Sequence, residues 1–274
     1  MRIQILVVTT NQSKGDYSLL EKMNIQSDVI ICNQSDYNEV VEFMWNGHNV
    51  KWYSFAERGV GLNRNNALMR ADADICLFAD DDVVYYDGYI DEIKKFYIEH
   101  PDAEMVLFNF KVKRGDGDFE DIIKQTKTVR GRLTAYGTIC ITVKTVSIRR
   151  NNIYFHLEFG GGTNYSSGED SIFLNECVKK RLKIYKCQMT LGTVDNKISS
   201  WFEGYTDKYF YDKGVLFYEL VGFLAPLASI YHVVKHRKIY NEYGVANAIK
   251  KINEGIVYRK TEYKSKKRGK YNVQ

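Results

Sequence analysis

Four apolar runs in the first 112 residues, RIQILVVTT (2–10), DVIICN (28–33), DICLFA (74–79) and AEMVLFNFKV (103–112), are nearly continuous instead of alternating. The first run, continuous and β-branched, reads as a buried strand, and the other three read as further strands of the sheet. LNRNNALMRA (62–71), DGYIDEIKKFYIEH (87–100) and SIFLNECVKKRL (171–182) have helical spacing. The stretch 39–55 centres on Asn46-Gly47 between strand-forming residues, which predicts an antiparallel hairpin. ICITVKTVSIRR (139–150) alternates as a strand should, and 114–138 is unpatterned and read as loops. The expected class is α/β.

The remaining third differs. Residues 206–255 read as mostly helical, and 215–234 have the length and apolarity of a membrane span. Glu219, Pro226 and His232 oppose a clean span, so contact in the membrane plane is favoured over crossing. Residues 259–274 hold seven Lys/Arg against one Glu, a local +6 in a chain of net +5, which leaves −1 for the rest. A near-neutral body excludes a broad nucleic-acid surface. The basic end is expected to be a disordered tail suited to anionic headgroups. Five scattered cysteines without CxxC spacing predict buried free thiols in a reducing compartment. The N-terminal apolar run is too short for a signal peptide, and a cytoplasmic location is expected.

CLFADDDVVY (76–85) passes from an apolar strand into Asp80, Asp81 and Asp82. If the strand continued, Asp80 and Asp82 would share a face and Asp81 would point away. Two carboxylates at a strand end form a hard-oxygen site for Mg²⁺ or Mn²⁺, with positions left for phosphate oxygens. Ligands in open α/β sheets sit at such carboxyl ends. Solvated or capping acids would give the same triplet. A second acidic element, FGGGTNYSSGED (159–170), is a glycine-rich loop running into a helix. Its acids also suit a helix N-terminus.

The ordered set VVTTN, NQSD, GLNRNNAL, FADDD and GED, spread over roughly residues 1–200, resembles the inverting family 2 glycosyltransferases of GT-A type. The resemblance implies a Rossmann-like mixed sheet flanked by helices over 1–200. Residues 1–112 would be the nucleotide-sugar half and 113–200 the acceptor half, followed by a helical extension (201–258) and the tail. It implies transfer of a sugar from a UDP-sugar to a glycan or lipid-linked glycan. Thr9, Thr10 and Asn11 would meet the nucleoside. Asn33 would read a uracil edge where the family usually has an acid. Arg64 would approach the diphosphate, with Asn65 holding its loop. Asp80 and Asp82 would hold the metal, Asp81 would touch ribose or sugar, and Asp195 stands near where some relatives place a His ligand. Asp170 would be the catalytic base and Glu169 an acceptor-binding group, two roles that could be exchanged. Gly161, Gly162 and Trp201 would complete the acceptor site. Val83, where many relatives carry a further acid, departs from the pattern. A nucleotidyltransferase or phosphohydrolase and a non-catalytic glycan-binding subunit are the competing readings.

Overall fold

The computed structural model describes residues 1–114, 117–129, 131, 133, 136–196 and 204–271. The chain forms β1 (Ile3–Thr10), α1 (Leu19–Lys22), β2 (Asp28–Gln34), β3 (Glu39–Trp45), β4 (His48–Phe55), α2 (Val60–Arg70), β5 (Ile75–Asp80), β6 (Val83–Tyr85) and α3 (Tyr89–Glu99). Then come β7 (Met105–Arg114), β8 (Phe119–Asp121), β9 (Lys127–Thr128), β10 (Ile141–Lys144), α4 (Thr145–Asn151), α5 (Glu169–Lys179) and β11 (Ile184–Asn196). Helices α6 (Asp207–Val221), α7 (Ala225–Lys235) and α8 (Val245–Tyr271) follow. Two compact units result: Met1–Asn164 with Glu169–Ser199, and Tyr165–Gly168 with Ser200–Gln274.

The first unit is one mixed sheet in the order β3-β4-β2-β1-β5-β10-β7-β11-β6, with β8 on β7 and β9 on β11. The apolar runs occupy its middle: β1 pairs in parallel with β2 and β5, and seven of its eight residues are buried. The 39–55 hairpin is antiparallel, and Asn46 and Gly47 both take positive φ, as a two-residue primed turn requires.

The stretch 114–138, read as loops, contains β8 and β9, and three further differences from the expected elements appear. The run 139–150 is a strand only as far as Lys144. At Thr145 the backbone N–H bonds Asp74 O at 3.0 Å and the side chain bonds Ala73 O at 2.6 Å, turning the chain into α4. Buried Thr145 and Ile148 stand three residues apart, a helical spacing that alternation would put on opposite faces. β11 was not foreseen, because its ladder to β7 shifts register twice, between Cys187 and Thr190 and between Thr190 and Thr193, which blurs the period-two pattern. The basic tail is helical through Tyr271. Arg259, assigned to that tail, is buried and ion-paired to Glu219 at 3.0 Å and to Glu262 at 2.8 Å.

In the second unit, α6 and α8 cross at a pair of glycines. A Cβ on Gly214 would lie 2.0 Å from Ile252 O, and one on Gly255 would lie 2.1 Å from Tyr211 O. The small core of Phe210, Ala225, Val233, Tyr240, Ala248, Ile252 and Ile256 depends on this approach. Gly214→Ala is therefore expected to cost about 2 kcal/mol or more through overpacking, read as a lower midpoint of urea unfolding.

Candidate active site

Four consecutive polar residues of α2, Asn63, Arg64, Asn65 and Asn66, are buried. Such burial is costly unless each group finds partners. Asn63 Nδ2 donates to Cys32 O at 2.8 Å, which ties the helix to β2. Asn65 clasps the Phe155 backbone through both amide atoms, at 2.8 and 2.9 Å. Asn66 Nδ2 donates to Glu57 Oε1.

Arg64 reaches furthest. Its Nη2 lies 2.8 Å from Asp80 Oδ1, and its Nη1 lies 2.9 Å from Glu169 Oε1 and 3.0 Å from Asp170 Oδ1. The guanidinium carbon stands 5.4 Å from the Phe155 ring centroid, and Phe155 stacks on Phe173 at 4.1 Å. Burial opposes the guanidinium charge, but Asp80, Asp170 and Glu169 outweigh it and hold Arg64 protonated. One cation thus serves three carboxylates.

β5 ends at Asp80, and residues 81–82 form a turn, so strand alternation does not arrange the triplet. Asp80 faces Arg64, and Asp81 Oδ2 accepts from Thr9 Oγ1 at 2.5 Å. Asp82 has no ion pair among the described residues, and burial, then Asp80 and Asp81, push its carboxyl up to about 6. A half-buried carboxyl short of positive charge beside a second carboxylate is a donor set that fits Mg²⁺ or Mn²⁺. Asp195 is exposed and follows Val194, whose antiparallel pairing with Val83 sets it toward the Asp82 end of the turn. Among the described residues no three His, Cys, Asp or Glu gather closely enough to hold a metal.

Asp170 and Glu169 open α5. Burial raises the Asp170 carboxyl above its ordinary range, as does the Glu169 charge, against the pull of Arg64 and Thr138. Thr138 binds it twice, Oγ1 donating to Oδ1 and the backbone N–H to Oδ2 at 3.3 Å. Sequence reasoning missed Thr138, which ends an unpatterned run and carries no signal of its own. The glycine loop sits behind Glu169. A Cβ on Gly160, whose φ is +99°, would fall 2.7 Å from Glu169 Cδ. Gly161 O accepts from Val60 N–H at 3.0 Å, and a Cβ on Gly162 would lie 3.2 Å from Gly59 N. Gly161 and Gly162 thus pack on the start of α2, and Gly160 packs on Glu169. Trp201 lies outside the described residues.

At the end of β1, Asn11 has a left-handed φ of 56°, and its N–H bonds Gln34 O at 2.8 Å. Thr10 Oγ1 donates to the same oxygen at 3.3 Å. The expectation that Asn33 reads a base is corrected. Asn33 is fully buried, its Oδ1 accepting Gln12 N–H at 3.0 Å and its Nδ2 donating to Gln12 O and Ser54 Oγ at 3.1 Å. Both amide hydrogens are spent, so the residue fixes the loop after β1 and has no donor left for a ligand.

Two outcomes are expected from this geometry. Arg64→Gln leaves three carboxylates uncompensated and costs about 3 kcal/mol at neutral pH; the loss shrinks as the pH falls and they protonate, as urea melts at several pH values would show. Asp82 behaves oppositely: its folded value of about 6 lies above the ordinary 3.8, so folding takes up a proton and stability falls as pH rises from about 4 through 6. Asp82→Asn should therefore stabilise the metal-free protein at pH above 7 by about 1 kcal/mol, allowing for solvent screening. The gain should vanish below about pH 4, checked by thermal midpoints in chelator.

The family model described as glycosyl transferase family 2 matches residues 17–157, more than half of the chain. No curated protein matches it by sequence. Among solved structures, S. aureus TarS 1–349 in complex with UDP is 17% identical, with 89% of this chain and 74% of that one covered at a TM-score of 0.59. TarS 1–349 in complex with UDP-GlcNAc is 16% identical, with 87% and 73% covered at 0.55. Against a longer TarS chain, 18% identical, the coverage is 86% of this chain and 43% of that one at 0.56. At these identities the likeness concerns the fold, a GT-A sheet flanked by helices. With the family model spanning the α2 arginine and the acid triplet, the chain belongs to glycosyl transferase family 2.

Proposed function

We propose that the chain is an inverting glycosyltransferase that takes its sugar from a UDP-sugar, with Asp82 and Asp80 holding Mn²⁺ or Mg²⁺ and Asp170 serving as general base. The observation that carries this reading is the surplus of acid around one guanidinium: Arg64 is shared by Asp80, Glu169 and Asp170, and Asp82 has no ion pair among the described residues. An anionic nucleoside diphosphate is repelled from such a cluster unless positive charge arrives with it. When bound, a dication would supply that charge and stabilise the departing diphosphate. The TarS complexes with UDP and UDP-GlcNAc support the choice of donor for a chain of the same fold.

In the proposed reaction an acceptor hydroxyl attacks the anomeric carbon, its proton passes to Asp170, and the bond to the diphosphate oxygen breaks with its electron pair leaving on UDP. Asp170 suits the task because burial raises its carboxyl toward neutrality while the Thr138 bonds fix its direction. Glu169, packed against Gly160, would orient the acceptor. Asp81, anchored to Thr9, would meet the donor with Thr10 and Asn11. The acceptor is read as a glycan or lipid-linked glycan in surface-polysaccharide synthesis, at the cytoplasmic face of a membrane.

UDP should raise the thermal midpoint, more so with Mn²⁺ present, because a ligand of the native state stabilises it. Asp170→Asn should keep that stabilisation and lose about 10²–10⁴-fold in transfer, measured as UDP released with acceptor. The wild-type rate should fall on its acid side at a pH above the ordinary carboxyl range. An unchanged midpoint with UDP, with and without Mn²⁺, would remove this reading, and a response to ATP alone would replace it with nucleotidyl transfer.

A further inference from the structure

In the second unit, α7 buries only a narrow stripe, Ala225, Ser229 and Val233, spaced four residues apart against the small core. The opposite side is also apolar. Leu227 (68% exposed), Ile230, Tyr231 (68%) and Val234 stand in solvent, as does Phe223 (87%) in the 3-10 turn Gly222–Leu224 just before the helix. The four helix residues are spaced 3, 1 and 3 apart, which puts them on one face. A contiguous exposed apolar face of this kind marks an interaction surface.

The charge around the face says what covers it. No Asp or Glu occurs between Glu219 and Glu242, while Lys235 ends the helix, Arg237 and Lys238 follow it, and all three are exposed. None of the three has a carboxylate partner among the described residues. Lys235 Nζ lies 5.9 Å from the Tyr231 ring centroid, so the cationic rim adjoins the apolar face. Aliphatic and aromatic side chains beside unpaired cations match a bilayer with anionic headgroups.

The preceding helix decides between lying in the membrane and crossing it. The run Asp207–Lys235 is long and apolar enough to span. Its axis breaks at Gly222, which has φ 57° and ψ −124°. On α6, Asp212 is buried, accepting from Ser166 and paired to Lys208 at 2.7 Å, and Glu219 is bonded to buried Arg259. Those polar contacts hold α6 within the unit, so α7 alone is offered. We infer that the outer face of α7, with Lys235, Arg237 and Lys238 at its rim, docks this protein in the plane of an anionic membrane surface.

Co-sedimentation of the full chain with vesicles tests the inference. Binding is expected to vesicles of equal parts phosphatidylglycerol and phosphatidylcholine, and much less to phosphatidylcholine alone. Leu227→Ser/Tyr231→Ser should weaken it about tenfold or more, and Arg237→Glu/Lys238→Glu about fivefold per charge. An unchanged thermal midpoint would show that the serine variant folds, and Phe223→Ser, at the most exposed position, is the milder substitute. Wild-type failure to bind anionic vesicles overturns the proposal, as does undiminished binding by a folded serine variant. A dimer in sedimentation equilibrium that the serine variant dissociates, with no vesicle binding, would assign the face to a second copy of this chain instead.

Discussion

The shared hold of Arg64 on Asp80, Glu169 and Asp170 joins the end of β5 to the start of α5. These segments are far apart in sequence and reach each other only because α2 packs against β1 and β2. Bare carboxylates at such spacing would repel one another, and a bare buried guanidinium would be more costly still. The arrangement is therefore mutual: the acids make the burial of the arginine tolerable, and the arginine lets the acids converge. The Phe155–Phe173 stack beneath it and the Asn65 clasp on Phe155 keep the guanidinium plane in place.

Much of this was legible beforehand. The unbroken apolar runs announced the strands of a sheet, and Asn46-Gly47 announced the edge hairpin, because apolar patterning and turn chemistry are local properties of the chain. The acid triplet and the Glu169–Asp170 pair stood out as charge against an apolar background. What escaped were features set by distant partners. Thr138 became important only when the fold brought it to Asp170. Asn33 looked like a reader of bases because its amide can donate and accept, yet the neighbouring strand and loop had already claimed those bonds. Arg64 was expected to face a ligand, and nothing in GLNRNN reveals that three acids would surround it. The helical course of the basic end likewise depends on a buried pair between Arg259 and Glu219, forty residues apart.

The site also shows where stability is given up. Asp82 is held half-buried beside two like charges, a placement unfavourable in itself. Evolution tolerates such strain where activity requires a poised group. The surrounding sheet tolerates it too, because Asn63 and Asn65 of α2 bond backbone atoms and Asn66 bonds Glu57, leaving Arg64 as the one charge on the buried stretch of that helix.

All five thiols, Cys32, Cys76, Cys140, Cys177 and Cys187, are free and buried. Burial pushes Cys32 and Cys140 up to about 12 and Cys76 to about 11, so almost no thiolate exists at neutral pH. Maleimide dyes and spin labels, which need that anion, would pass the native cysteines by. A single cysteine placed on the surface could then carry a probe without first stripping the chain of its own sulfur.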